Sequence, residues 1–286
     1  MNSRRRQLLA TIAIGLLSCA GIATAQQPTP AQIVAGLDRT DADRTTDLRR
    51  KPEQMLAFIA ARPGSVVLDL SAGGGYTTEL LARSIGPTGT VHAMSRPRPA
   101  QPAAPPAAPE GNPNPSATPQ AALAVPAVPR APPRPSPVVL AERDARLKAA
   151  GVAAAPIVAV VRPFEDPLPP ELAAGRVDLA TLIFNYHDLG HMGVDRAAMN
   201  RAVFAALKPG GFYVIADHAG RPGTGISEAG TLHRVEEAFL RAEVEAAGLK
   251  LVASGDFLRN PNDPRDENTP DPPQPKDQFV LKFVKP

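Results

Sequence analysis

An apolar run ending in an acid, three consecutive glycines and a helix start constrain this chain more than any other stretch: Val66-Val67-Leu68-Asp69-Leu70-Ser71-Ala72-Gly73-Gly74-Gly75-Tyr76. A continuous apolar run is what a strand buried on both faces requires, and such strands belong to parallel sheets covered by helices. Glycine lets backbone N–H groups approach a ligand closely, and the helix start that follows carries partial positive charge. The segment therefore predicts a ligand-binding turn at the edge of an α/β sheet. A nicotinamide-binding loop fits it poorly. That loop places its first glycine directly after the strand and an acid about 20 residues on. Here the acid sits inside the strand, and the second strand runs out at Ser95 and Arg96. A Walker-type phosphate loop is excluded, because no Gly-Lys-Ser/Thr follows.

Strand and helix patterns alternate along the rest of the chain. Apolar runs predict strands over 66–70, 90–94, 157–161, 177–184, 212–216, 249–257 and 278–284. Helices are expected over 31–37, from Pro52 through Ile59, and over 76–85, 138–150 and 195–207. A last long helix carries Leu232, Val235, Phe239, Ala242 and Ala246 at a period near 3.6. Alternation of this kind implies a mostly parallel sheet with helices on both faces. The last two strands have no helix between them, so an antiparallel edge pair is expected.

Proline marks the interruptions. Of 34 prolines, 15 lie between Pro97 and Pro137, among few large apolar side chains. Residues 96–137 are read as an extended, solvated, disordered insert, which the fold tolerates because loop closure costs only logarithmically with length. Three arginines, Arg4 to Arg6, precede an apolar run over 8–20 and then Ala23-Thr24-Ala25, the pattern of an export signal over 1–25. The arginines suit a twin-arginine route, and Cys19 offers a less well formed lipoprotein box. The run is short for a membrane span, so an exported, periplasmic protein with no stable span after cleavage is expected. Residues 26–51 read as a linker and charged helical segment, and 52–286 as the main domain. The same three arginines account for the net charge of +3. No basic stretch interleaved with aromatics points to nucleic acid. A single cysteine rules out a disulfide framework and a thiolate metal site.

At the glycine turn the chain resembles the class I S-adenosylmethionine-dependent methyltransferases, whose first motif runs acid-x-Gly-x-Gly-x-Gly. Asp69, Ser71, Gly73 and Gly75 occupy those positions, with Ser71 replacing the first glycine. Val177-Asp178-Leu179-Ala180 is similar to the family's fourth-strand motif, and Leu207-Lys208-Pro209-Gly210-Gly211 to its turn before strand five. Asn185-Tyr186-His187-Asp188 and Gly230-Thr231-Leu232-His233-Arg234 resemble an exported bacterial "predicted methyltransferase" group. The resemblance implies a Rossmann-like seven-stranded sheet, S-adenosyl-L-methionine as cofactor and transfer of its methyl to a small molecule. The alternative is an exported, non-catalytic binding protein on the same scaffold, since the cofactor is made in the cytoplasm.

The resemblance also distributes roles. Asp69 faces the cofactor's methionine ammonium or organises the loop. Ser71, Gly73 and Gly75 shape the turn. Ser95 stands where the family has an acid for the ribose, and Asp166 where it often has an acid at the adenine. Asn185 sits at the carboxyl end of strand four, where ligands bind in open α/β sheets. His187 is the candidate base, with Asp188 beside it, and Asp217 and His218 at the end of strand five are the second-choice acid/base or substrate-binding candidates. His187 and His191 are four apart, a metal spacing on a helix, but Gly190 and Gly193 argue against a helix there, so no metal ligands are assigned. His233 is read as part of the last helix's cap or packing.

Overall fold

The structure, a computed structural model, describes residues 27–97, 134–172, 175–268 and 275–286. The expected export signal and most of the proline-rich insert lie outside them. Three helices lead: α1 (Pro30–Val34), α2 (Asp41–Arg50) and α3 (Pro52–Ile59). Then follow β1 (Val66–Leu70), α4 (Tyr76–Ile85), β2 (Thr90–Ser95), α5 (Ser136–Ala149), β3 (Ile157–Val161) and β4 (Val177–Ile183). The chain continues with α6 (Tyr186–His191), α7 (Arg196–Ala206), β5 (Leu207–His218), α8 (Ala229–Leu232), α9 (Glu237–Ala246), β6 (Lys250–Gly255) and β7 (Gln278–Val284).

The seven strands form one sheet in the order β3-β2-β1-β4-β5-β7-β6. Strands β1 to β5 pair in parallel, and β7 runs antiparallel between β5 and β6. The expected fold class, a Rossmann-like α/β sheet with an antiparallel edge pair, is thus observed. Apolar residues on each side build a separate core. Leu68, Leu70, Met94, Met199, Ile215, Phe279 and Phe283 belong to one. Val67, Leu81, Ile85, Val91, Leu140, Val214 and Val280 belong to the other. Asp69 alternates between Leu68 and Leu70 and so points with Val67, toward the side where α4 packs.

Most boundaries shift by a few residues, and two differ in kind. Lys208-Pro209-Gly210-Gly211 is drawn into β5, its backbone tied to the last strand through Gly210 N–H to Lys285 O at 2.8 Å. The last long helix is split into α8 and α9. Val235 lies on its apolar stripe but bridges to Ala219 instead, with Val235 N–H donating to His218 O at 3.0 Å. Buried Arg234 holds that break, donating to Asp263 at 2.8 Å and to the carbonyl of Ala219 at 3.0 Å.

The charged α2 is packed against the main sheet's helices by ion pairs. Arg143 of α5 bridges Asp43 of α2 at 2.8 Å and Glu79 of α4 at 2.7 Å, while Arg39 grips Asp47 at 2.6 Å. Paired charges of this kind are stitching for the three helices, since each would be costly to bury alone. Among the described residues no helix is long and apolar enough to cross a membrane.

Candidate functional site

The carboxyl ends of β1, β2, β4 and β5 converge at one edge of the sheet. There the glycine turn leaves β1 with Ser71 at φ 61°, Gly73 at φ 53° and Gly75 at φ 76°. Glycine tolerates this left-handed region freely, and serine adopts it only with support. Ser71 has that support: its hydroxyl donates to Asn185 Oδ1 at 2.7 Å. Gly75 is also needed for space, because a Cβ there would lie 2.8 Å from Arg143 and 2.9 Å from Leu140. At Gly74 a Cβ would meet nothing, so that backbone faces open space.

Asp69 is buried beneath the turn. Strand register sets Thr181 opposite it, and Thr181 Oγ1 donates to one carboxylate oxygen at 2.8 Å while Thr78 Oγ1 donates to the other at 2.6 Å. Burial pushes its pKa up, and the two hydroxyls pull it partly back, leaving it at about 6.

Two cavities wrap around this turn and share Ser71 and Gly73. The larger, about 570 Å³, is lined also by Ser95, Arg96, Phe164, Asn185, Asp188 and His191. The smaller, about 240 Å³, is lined by Asp69, Gly74, Arg49 and Arg50. Arg50 was not anticipated from the sequence. Its guanidinium lies 3.7 Å from the centroid of the Phe184 ring, and its Nε is buried without a hydrogen-bond partner. Burial, with Arg49 adding repulsion, lowers its pKa to about 10. A buried cation with an unpaired donor next to a glycine turn is a ready partner for an anionic group. Asp166 falls outside the larger cavity's lining: its exposed carboxylate pairs with Arg162, and Phe164 occupies the wall instead.

Beyond Asn185 the polar groups form one continuous chain. Asn185 Nδ2 donates to Asp188 Oδ2 at 2.8 Å. Asp188 Oδ1 lies 3.1 Å from His187 Nε2 and 3.2 Å from His233 Nδ1. His187 Nδ1 meets Asp217 Oδ1 at 2.6 Å, and the buried Asp217 also accepts the backbone N–H groups of His187 at 2.8 Å and His218 at 2.7 Å. Residues 186–191 do form a helix, contrary to the expectation from Gly190 and Gly193. Gly190 has a packing reason: a Cβ there would lie 2.6 Å from Ile226, so α6 sits hard against the segment leading into α8. His233 is not part of a continuous helix either. It sits in the break after α8 at φ 51°, a conformation that costs about 1 kcal/mol or more in a non-glycine residue.

These contacts revise the proton-transfer readings. Burial lowers the pKa of His187, but hydrogen bonds donated to the carboxylates of Asp188 and Asp217 outweigh it and raise the value to about 9. With both ring nitrogens engaged, His187 is not a free base. Asp188, despite burial, is held at about 2 by His187 and His233. His218 is pushed down to about 3, mainly by burial, and Gln278 Nε2 lies 3.1 Å from its Nδ1. Its ring is neutral at ordinary pH and stacks near Phe184 and His187, with centroids 5.3 and 5.5 Å away.

No family model and no curated protein sequence matches the chain. Solved structures do. An S-adenosylmethionine-dependent methyltransferase from Aquifex aeolicus is similar with a TM-score of 0.50 at 15% identity, covering 87% of this chain and 100% of that one. The (4+2)-cyclase SpnF is similar with a TM-score of 0.50 at 15% identity, covering 86% of this chain and 81% of that one. At such identity the likeness is one of fold, and the second neighbour shows that the fold also serves a cyclase. Strand order, antiparallel edge and glycine turn agree with it: the chain has the class I S-adenosylmethionine-dependent methyltransferase fold.

Proposed function

We propose that this chain is an S-adenosylmethionine-dependent methyltransferase acting on a small molecule. The observation that carries the reading is the pair of cavities around one glycine turn, with the unpaired Nε of Arg50 buried beside the smaller. In this reading Arg50 meets the carboxylate of the methionine tail, and Asp69 favours its ammonium end. Ser95, at the end of β2, takes the ribose hydroxyls with a neutral bond, weaker than a carboxylate's by about 1–2 kcal/mol. S-adenosylmethionine supplies, when bound, an electrophilic methyl group. The chain's own part is to hold an acceptor along Asn185, Asp188 and His191. Orientation of that kind contributes about 7 kcal/mol or more in well-aligned reactions.

The test is calorimetry and thermal shift with S-adenosylmethionine and S-adenosylhomocysteine. Both are expected to bind, and Arg50→Met is expected to weaken binding about tenfold or more, the worth of one charge-assisted hydrogen bond. Absence of heat and of any shift with either compound removes the reading. The first 25 residues complete the proposal as an export signal, in keeping with the exported group the sequence resembles. Amino-terminal sequencing of protein from the periplasm should then begin at Gln26. Ser95 in place of an acid favours one rival, a non-catalytic binding protein on the same scaffold. Mass spectrometry of protein purified from its exported compartment separates the two: a bound S-adenosyl compound supports the enzyme, and an unrelated ligand supports the rival.

A further inference from the structure

We propose that His187, Asp188 and His233 form a binding site for a divalent transition-metal ion, opening onto the larger cavity. One ligand atom from each lies within 4.8 Å of the others, and Asp188 Oδ1 faces both His187 Nε2 and His233 Nδ1. Two of the edges are 3.1 and 3.2 Å. Ligands about 2.0–2.2 Å from a tetrahedral metal stand about 3.3–3.6 Å apart, so two of the three edges are already within a few tenths of an ångström of a ligated arrangement. Two imidazoles and one carboxylate are a donor set for zinc, iron(II), manganese or cobalt rather than for the all-oxygen cations.

Groups on the far side of each ligand support the assignment. A metal-binding histidine characteristically gives its other ring nitrogen to a carboxylate, which fixes the ring and its tautomer. His187 does so at 2.6 Å with Asp217, which is itself pinned by two backbone N–H groups. Asp188 presents Oδ1 to the cluster because Oδ2 is occupied by Asn185 at 2.8 Å. The strained backbone of His233 turns its ring into the cluster, edge-on to His187 at 90° with centroids 5.6 Å apart. Two glycines permit the approach of the elements carrying these ligands. A Cβ at Gly190 would strike Ile226, and one at Gly230 would lie 3.3 Å from His191 Cβ. Asp188 and His191 both line the larger cavity, so the cluster borders it. His191 Nδ1 lies 3.9 Å from Asp188 Oδ1, at the border of the cluster and outside the three-ligand set. A metal held there would take an oxygen donor of whatever occupies the cavity, such as a hydroxyl or carboxylate. The site does not depend on methyl transfer.

The experiment uses full-length mature protein without a histidine tag, stripped with a chelator and titrated with Co²⁺ in the absence of any nucleoside. Visible absorption bands of low-coordinate Co²⁺ are expected at one equivalent, bleached by Zn²⁺. His233→Ala, which removes a half-exposed side chain, and Asp188→Asn are each expected to weaken binding about a hundredfold or more. Asp217→Asn, which acts through His187, is expected to weaken it about 10–100-fold. Featureless wild-type spectra overturn the proposal, and so do bands that persist unchanged in His233→Ala. Because the readout contains no S-adenosyl compound, its failure leaves the methyltransferase reading standing, and the reverse holds too.

Discussion

Strand β5 begins with Leu207-Lys208-Pro209-Gly210-Gly211 and ends at Asp217-His218, and its two ends are held in different ways. At the first end the charges are half-exposed and paired. Lys208 donates to Asp178 at 2.6 Å, Asp178 accepts the backbone N–H of Val66 at 2.8 Å, and Gly211 leaves room for neighbouring carbonyls. At the second end Asp217 is fully buried and holds three donors, and strained Ser71, Phe184 and His233 gather close by. Both ends carry stretches that resemble family motifs. Only the second has an unpaired buried cation and a cluster of imidazoles. One end stores its polar groups in backbone support, and the other keeps them poised around a cavity. A motif in the sequence therefore does not say whether its charges are structural or functional, whereas burial and hydrogen-bond accounting do.

The contrast can be broken by substitution at either end. Asp217→Ala is expected to have the largest effect, about 3–5 kcal/mol of stability in urea denaturation. It strands a buried imidazole and two backbone N–H groups. A loss under about 1 kcal/mol would show that the second end is as loosely held as the first.

Asp69 gives a pH signature of nearly the same size. Its folded-state pKa of about 6 lies above the ordinary 3.8. The folded state therefore binds this proton more tightly than the unfolded one. The stability it contributes is full below about pH 4 and is lost as pH rises through about 6, by about 3 kcal/mol for two pK units. Asp69→Asn should remove that slope, so the stability of the variant relative to wild type should rise from pH 4.5 to pH 7.5. Equal slopes for both proteins would deny that burial at this position costs what the geometry implies.

Lys208→Ala sharpens the comparison from the other end. An exposed ion pair contributes under about 1 kcal/mol, so the variant should unfold at nearly the wild-type midpoint and bind S-adenosylhomocysteine unchanged. Altered binding would mean that the two ends of the sheet communicate.

The sequence by itself determined the sheet. Strands buried on both faces must be continuous apolar runs, and turns between them need glycine or proline, so the seven strands and the glycine turn at 73–75 could be read without coordinates. The last strand was placed to the residue at Gln278–Val284. Tertiary structure alone decided the pocket wall. Arg50 is charged and lies in a stretch dense in charge, so nothing local sets it apart from its solvated neighbours. Only docking of α2 brings it over Phe184. Residues 186–191 become helical because Gly190 packs against Ile226, a gain that propensity cannot register. His233 leaves the helical period because Val235 bonds to β5's end more favourably than it continues a helix. Periodicity reports which residues seek burial. The partners they find elsewhere along the chain depend on strand order and register, and those are properties of the assembled sheet.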